Sequence, residues 1–159
     1  MNVAASVQAA RDGLAALPRP LGFVPTMGAL HAGHLQLVQA ARAQSQSVAA
    51  SVFVNPTQFG PLEDFERYPR DDEGDRQKLG SCGVDLLFAP DVDAMYPRGF
   101  STTVDAGEIG TRYEGAVRPA HFRGVTTVVS KLLNIVRPDV LYLGQKDAQQ
   151  TAVLRKLVR

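Results

Sequence analysis

The first seventeen residues carry apolar side chains at helical spacing. These residues stand three or four positions apart and are Val3, Val7, Ala10, Leu14 and Leu17. Such a stripe predicts a helix with one buried face, which Pro18 and Pro20 end because proline cannot continue a helix.

Beyond this helix, short apolar runs alternate with helical segments. Runs at 21–25 and 48–54 suit buried strands, and residues 34–43 between them repeat at helical spacing. A charged helix is predicted over 71–79, and strands over 84–89 and 100–104. A long apolar helix ends near Val136, a strand buried on both faces follows over 140–143, and Asp147 can cap the last helix. This alternation predicts an α/β fold with a doubly wound, mostly parallel, Rossmann-like sheet covered by helices on both faces, whose ligands sit beyond the carboxyl ends of the strands.

Composition and charge narrow the class of protein. The 159 residues suit one domain over 1–159, and a net charge of +1 gives no general attraction to nucleic acid or anionic membranes. Cys82 alone cannot form an internal disulfide. No apolar run reaches the ~20 residues that span a bilayer, and no secretory pattern opens the chain. We therefore expect a cytoplasmic protein without nucleic-acid or membrane partners.

Residues 25–34, PTMGALHAGH, form the strongest chemical signal because they lie where the first long strand turns into a helix. A helix start offers free N–H groups and a positive dipole end to phosphate oxygens. His31 and His34 can both point at one anion there. Two other interpretations stay open: one histidine merely caps the helix, or the pair binds zinc, although the only cysteine is distant.

This stretch resembles the HxGH signature of the nucleotidyltransferase superfamily, and the pantothenate synthetase family in particular. Three further blocks resemble the same family, at residues 53–59, 118–129 and 143–150. The resemblance implies that His31, His34 and Lys146 are catalytic. The ATP-binding residues that it implies are Pro25, Thr26, Met27, Gly28, His31, His34, Gly144, Lys146 and Asp147.

The resemblance also implies a pantoate site and a metal association. Pantoate would be bound by Gln58 and Gln150, with Asn55 and Met27 in the same pocket. From the residues alone, the Asn55-Pro56 pair indicates a turn. Asp75, within an acidic cluster that otherwise suits a solvated helix start, corresponds to an aspartate associated with the Mg²⁺ of MgATP.

In the block at 118–129, Ala120 stands where the family usually has glycine. If that position requires a positive φ, alanine strains the turn that leads to His121. Arg118 and His121 lie near the substrate side in the resemblance, and the residues from Val125 onward belong to a core helix.

The implied reaction is the ATP-dependent ligation of pantoate and β-alanine. Pantoate and ATP would give a bound pantoyl adenylate and pyrophosphate, and β-alanine would then release pantothenate and AMP. Catalysis would consist of positioning and charge neutralisation. Because family members are commonly dimers, we expect a homodimer. The implied reaction requires ATP and Mg²⁺ as cofactors.

The last helix runs to Arg159 without a glycine or proline stop, and the family's KMSKS-like loop and C-terminal domain are absent. We therefore expect a fragment that binds ligands but is catalytically incomplete. Two alternatives remain: another HxGH nucleotidyltransferase acting on a phosphorylated substrate, and a non-catalytic binding or oligomerisation module. The neutral amides of Gln58 and Gln150 favour a small hydroxy acid over a phosphorylated substrate.

Overall fold

Five strands form one parallel sheet in a computed structural model that describes residues 1–60, 63 and 65–159. The sheet order is β1-β4-β3-β2-β5. The strands are β1 Asn2–Ala4, β2 Leu21–Thr26, β3 Ser47–Val52, β4 Leu86–Phe88 and β5 Val140–Leu141. The α-helices are α1 Val7–Ala15, α2 Ala32–Gln44, α3 Asp72–Ser81, α4 Val92–Met95, α5 Glu114–Val117, α6 His121–Val136 and α7 Ala148–Leu157. Two 3₁₀ helices cover Pro56–Gln58 and Gly107–Thr111.

Both faces of the sheet are covered by helices. On one face Phe23 of β2 belongs to a core cluster that includes residues of α1, α6 and α7. The neighbouring Val24 belongs to a second cluster with residues of α2 and α3. Adjacent strand residues point to opposite faces, so β2 is buried on both sides. The predicted doubly wound α/β fold is therefore confirmed.

The chain reverses its direction of travel across the sheet beside β2. Strands β2, β3 and β4 follow one another toward one edge, whereas β5 pairs with the opposite side of β2. Such a reversal opens a crevice at the carboxyl ends of the two strands, where α/β proteins bind ligands. The turns that follow β2 and β5 therefore flank the expected site.

The first helix is shorter than its apolar stripe predicts. Val3 lies in β1, whose residues pair with β4, and α1 starts only at Val7. Ser6 caps that start by accepting a hydrogen bond from Ala9 N–H. Pairing with β4 satisfies backbone groups that a helix would otherwise bond internally, which is why Val3 leaves the helix although its spacing fits.

One strand prediction is wrong, and another is wrong in part. No strand forms over the fully described segment 100–104, because α6 bonds its backbone: Val104 N–H donates to Thr127 Oγ1 and Val104 O accepts from Thr126 Oγ1. Strand β5 ends at Leu141 and is not buried on both faces. It lies at the sheet edge, where Val140 remains 40% exposed.

Helix length and composition bear on the membrane question. Among the residues that the structure describes, no helix combines the length and the apolar character needed to cross a bilayer.

Candidate functional site

The turn between β2 and α2 is held by a buried carboxylate from α3. Gly28 and Ala29 have positive φ angles of 84° and 51°. The two oxygens of Asp75 accept hydrogen bonds from the N–H groups of Ala29 and Leu30, each at 2.8 Å. A Cβ at Gly28 would come within 3.0 Å of Asp75 Oδ2. The turn therefore has one well-defined backbone path, and glycine leaves the space that the carboxylate occupies.

Asp75, which the resemblance associates with Mg²⁺, is engaged by groups of the protein itself. The Asp75 side chain is 2% exposed, and both oxygens are engaged by backbone donors. Lys78 Nζ lies 3.7 Å from Oδ1. Within the described ranges, no three His, Cys, Asp or Glu side chains gather to hold a metal ion. Asp75 therefore supports the turn, and its association with Mg²⁺ stays a prediction.

His31 and His34 cap the start of α2 and lie against each other. His31 Nδ1 accepts a hydrogen bond from Gly33 N–H at 3.1 Å, and His34 Nδ1 accepts one from His31 N–H at 3.4 Å. Their ring centroids are 4.1 Å apart. A nitrogen that accepts is unprotonated, so each neutral ring carries its proton on Nε2. The capping and anion-binding interpretations are therefore compatible, because capping leaves an Nε2–H donor on each ring.

Residues of both turns influence the pKa of His34. Burial lowers the pKa of the His34 imidazole below its usual value, and nearby His31 and Lys146 lower it further. Asp75 and Asp147 act in the opposite direction. His34 is therefore neutral at pH 7, and its charge state responds to two residues of the turn after β5.

That second turn, between β5 and α7, is much more open. The Lys146 side chain is 87% exposed, and its Nζ lies 4.0 Å from Asp147 Oδ1. Asp147 stands at the N-cap position of α7, but its side chain makes no capping bond, so the predicted cap is wrong. Thr151 Oγ1 instead ties the turn by donating to Gly144 O at 3.1 Å. The ammonium group of Lys146 is therefore accessible to a ligand.

A pair of amides lies beside the first turn. Gln58 Nε2 donates to Met27 Sδ at 3.0 Å, and Gln58 Oε1 accepts from Asn55 Nδ2 at 3.1 Å. The structure thus brings together Met27, Gln58 and Asn55. Asn55 is 1% exposed, and its hydrogen bond holds the Gln58 amide in place. Gln150 lies half-buried in the first turn of α7, and no hydrogen bond joins it to Gln58 in the described parts of the chain.

The approach of α6 to this amide pair depends on the block at 118–129. His121 Nδ1 lies 2.9 Å from Gln58 O, and Arg118 Nε lies 2.7 Å from Glu63 Oε1. A Cβ at Gly124 would come within 2.3 Å of Thr57 O, so only glycine permits this packing. Ala120 has φ 70°, which confirms that alanine occupies a left-handed position there.

Sequence reasoning missed Tyr96. Its hydroxyl lies 2.7 Å from Asn55 Oδ1, although 41 residues separate the two along the chain. No local pattern around Tyr96 signals this contact.

Elsewhere, a cavity of about 660 Å³ between α7 and the second 3₁₀ helix is lined by Ile109, Tyr113 and Lys156 among others. None of the predicted site residues lines it, so this cavity is separate from the candidate site.

Fold and site together place the chain in the class of α/β proteins with a nucleotide-binding fold. The family described as Pantoate-beta-alanine ligase matches residues 2–159, and the chain belongs to that family. The resemblance found in the sequence is thereby confirmed.

Individual relatives agree with this assignment. Pantothenate synthetase of Agrobacterium fabrum is 53% identical, over 99% of this chain and 55% of its own length. That of Chloroflexus aggregans is 57% identical, over 100% of this chain and 57% of its own length. The chain thus spans little more than half the length of these relatives.

Solved structures show the same fold. Pantothenate synthetase from Thermus thermophilus superposes with a TM-score of 0.95 at 55% identity, covering 100% of this chain and 57% of its own. Pantoate-beta-alanine ligase from Francisella tularensis, solved in complex with Beta-gamma ATP and beta-alanine, also gives 0.95, at 42% identity over 99% of this chain and 62% of its own.

Proposed function

We propose that this chain forms the ATP- and pantoate-binding part of an AMP-forming pantoate–β-alanine ligase. The observation that carries the proposal is the turn after β2, where His31 and His34 cap α2 and Met27 accepts a hydrogen bond from the Gln58 amide. Pantoate and ATP would form pantoyl adenylate and pyrophosphate. Attack by β-alanine on the adenylate would give pantothenate and AMP.

The nucleotide lies across the two turns in this proposal. The Nε2–H groups of His31 and His34 donate to phosphate oxygens, and Lys146 adds a positive charge from the opposite turn. The backbone of residues 25–28, with Gly144 and Asp147, contacts the rest of the nucleotide. Charge that develops on the α-phosphate during attack then meets donors already held in place, which is the most effective form of electrostatic stabilisation.

Pantoate would lie on the amide side of the crevice. Its carboxylate attacks the α-phosphorus, so no protein nucleophile is needed. Gln58 presents an N–H to an oxygen of pantoate, and Met27 provides apolar surface beside it. Gln150 would contact pantoate from α7, with Asn55 supporting Gln58. Neutral amides suit a small hydroxy acid because they bind hydroxyl and carboxylate groups without adding charge.

The remaining parts of the proposal concern assembly, metal and location. Mg²⁺ is proposed to accompany the ATP phosphates, in association with Asp75, which also supports the backbone of the first turn. A homodimer is proposed from the family resemblance. A reducing, cytoplasmic location is consistent with the single Cys82.

Calorimetric titration with ATP and with pantoate tests the proposal. We expect His34→Ala to weaken ATP binding and Gln58→Ala to weaken pantoate binding, each with little effect on the other ligand. Gln36→Ala, on the exposed surface of α2, is the matched control. In an adenylation assay, loss of His34 should raise the barrier by about 3 kcal/mol if it acts as a preorganised donor.

Two outcomes would overturn the proposal. Pyrophosphate release with phosphopantetheine but not with pantoate would indicate another nucleotidyltransferase. Unchanged ATP binding after removal of both histidines would indicate a non-catalytic module.

A further inference from the structure

Tyr96 directly follows α4, and its hydroxyl contacts the amide pair formed by Asn55 and Gln58. Its ring packs against Phe53 and Phe100, with centroid distances of 6.1 and 4.9 Å. Lys131 Nζ lies 5.5 Å from the ring centroid. These contacts hold the phenol in one place, with its oxygen 2.7 Å from Asn55 Oδ1.

The Asn55 amide has two backbone partners that cannot exchange roles, and the Tyr96 hydroxyl adds a third contact that favours the same orientation. Its Nδ2 donates to Gly124 O at 3.2 Å, and its Oδ1 accepts from Thr57 N–H at 3.3 Å. Two hydroxyls donate to the same oxygen, Thr57 Oγ1 at 2.9 Å and Tyr96 at 2.7 Å. Burial raises the pKa of Tyr96, so the hydroxyl remains a protonated donor at neutral pH. Reversing the amide would turn favourable contacts into donor–donor and acceptor–acceptor pairs.

The orientation of Asn55 determines that of Gln58. Because Asn55 Nδ2 also donates to Gln58 Oε1, the Gln58 oxygen faces inward and its amide nitrogen faces Met27 Sδ. A thioether sulfur is a weak acceptor. A carboxylate or hydroxyl oxygen of a substrate can therefore replace it as the partner of Gln58 Nε2.

We propose that Tyr96 is a positioning residue that acts through Asn55 to keep the Gln58 amide turned with its N–H toward the substrate. The substrate oxygen that Gln58 binds must then be an acceptor. This inference rests on the proposed function in taking pantoate as that substrate.

The decisive variant is Tyr96→Phe, which removes the hydroxyl and keeps the ring and its contacts. We expect the Kd for pantoate to rise about fivefold, as for loss of one buried hydrogen bond, and the Kd for ATP to stay unchanged. Tyr113→Phe is the matched control, because Tyr113 is 83% exposed. In a Gln58→Ala background, Tyr96→Phe should have no further effect on the Kd for pantoate. Equal losses in both backgrounds, or for both ligands, would show a merely structural role.

A second measurement needs no ligand. Solvent exchange of the Gln58 side-chain NH₂ protons, followed by NMR in the free protein, should become faster in Tyr96→Phe and stay unchanged in Tyr113→Phe. Unchanged exchange in Tyr96→Phe would overturn the inference. A parent chain that binds ATP but no pantoate would refute the proposed substrate, while the exchange rates would still decide the role of Tyr96.

Discussion

The two turns at the crevice are built in opposite ways. The turn after β2 is held by a buried Asp75 carboxylate and by reciprocal histidine caps. The turn after β5 has an N-cap residue, Asp147, without a side-chain cap, and its Lys146 is 87% exposed. One side of the site is therefore preorganised, whereas the other presents an exposed charge that the protein holds less firmly.

The first turn therefore provides donors in fixed positions, whereas the second turn provides a positive charge. Donors that are already in place need no reorganisation when charge develops on a phosphate, so the first turn is suited to transition-state stabilisation. A free lysine loses up to ~2 kcal/mol of side-chain entropy when it is immobilised. It supplies a charge that can follow the phosphate but cannot fix its position.

Removing the Asp75 carboxylate should have the largest effect. Asp75→Ala leaves the N–H groups of Ala29 and Leu30 buried without partners, and we expect the free energy of unfolding to fall by about 3 kcal/mol. Urea denaturation measures this change. The control is Asp72→Ala, at an exposed position in the same helix turn. A loss no larger than that of the control would show that the turn does not depend on Asp75.

Removing Lys146 should affect binding and not stability. We expect Lys146→Ala to weaken ATP binding about tenfold at low salt, and less at high salt because exposed charges are screened. The free energy of unfolding should stay within about 0.5 kcal/mol of the parent value. Titrations at two salt concentrations test this, with Lys156→Ala, in the last turn of α7, as the control. Equal effects of the two variants would assign only a general charge effect to Lys146.

Relieving the backbone strain at Ala120 should have a smaller effect, a gain in the free energy of unfolding. Ala120 has φ 70° just before α6, which brings His121 to Gln58 O. Glycine adopts this conformation without strain, so Ala120→Gly should stabilise the protein by about 0.5 kcal/mol. Ala116→Gly, within α5, should instead destabilise it. Thermal denaturation of both variants would contradict the prediction if Ala120→Gly lowered Tm.

The smallest effect should be the pH dependence contributed by His34. Its pKa is lowered in the folded protein, so the unfolded state binds more protons below the usual value of 6.5. The free energy of unfolding should therefore fall as pH drops below about 6.5, and His34 should contribute no slope above it. Denaturation of the parent and of His34→Gln from pH 5 to pH 8 isolates this contribution. A stabilisation that grew with acidity would contradict the assigned direction.

Part of the site could be found from the sequence because its signals are local. The glycine turn and the two histidines lie within ten residues, and Asn55 and Gln58 lie within four. The role of Asp75 could not be found this way, because its partners Ala29 and Leu30 are 46 and 45 residues distant. An acidic residue in the first turn of a helix suits solvent equally well, and only packing shows that this one is buried.

The same distinction applies to the fold. Spacing along the chain determined the helices, the runs that become strands and the turn chemistry between them, because these depend on contacts among near neighbours. Tertiary structure decided that Val3 joins a sheet, that residues 100–104 bond to α6 and that Val140 lies at an edge. It also decided that Tyr96 meets Asn55. Each of these depends on which distant segment supplies the hydrogen-bond partner, and that becomes fixed only when the elements pack together.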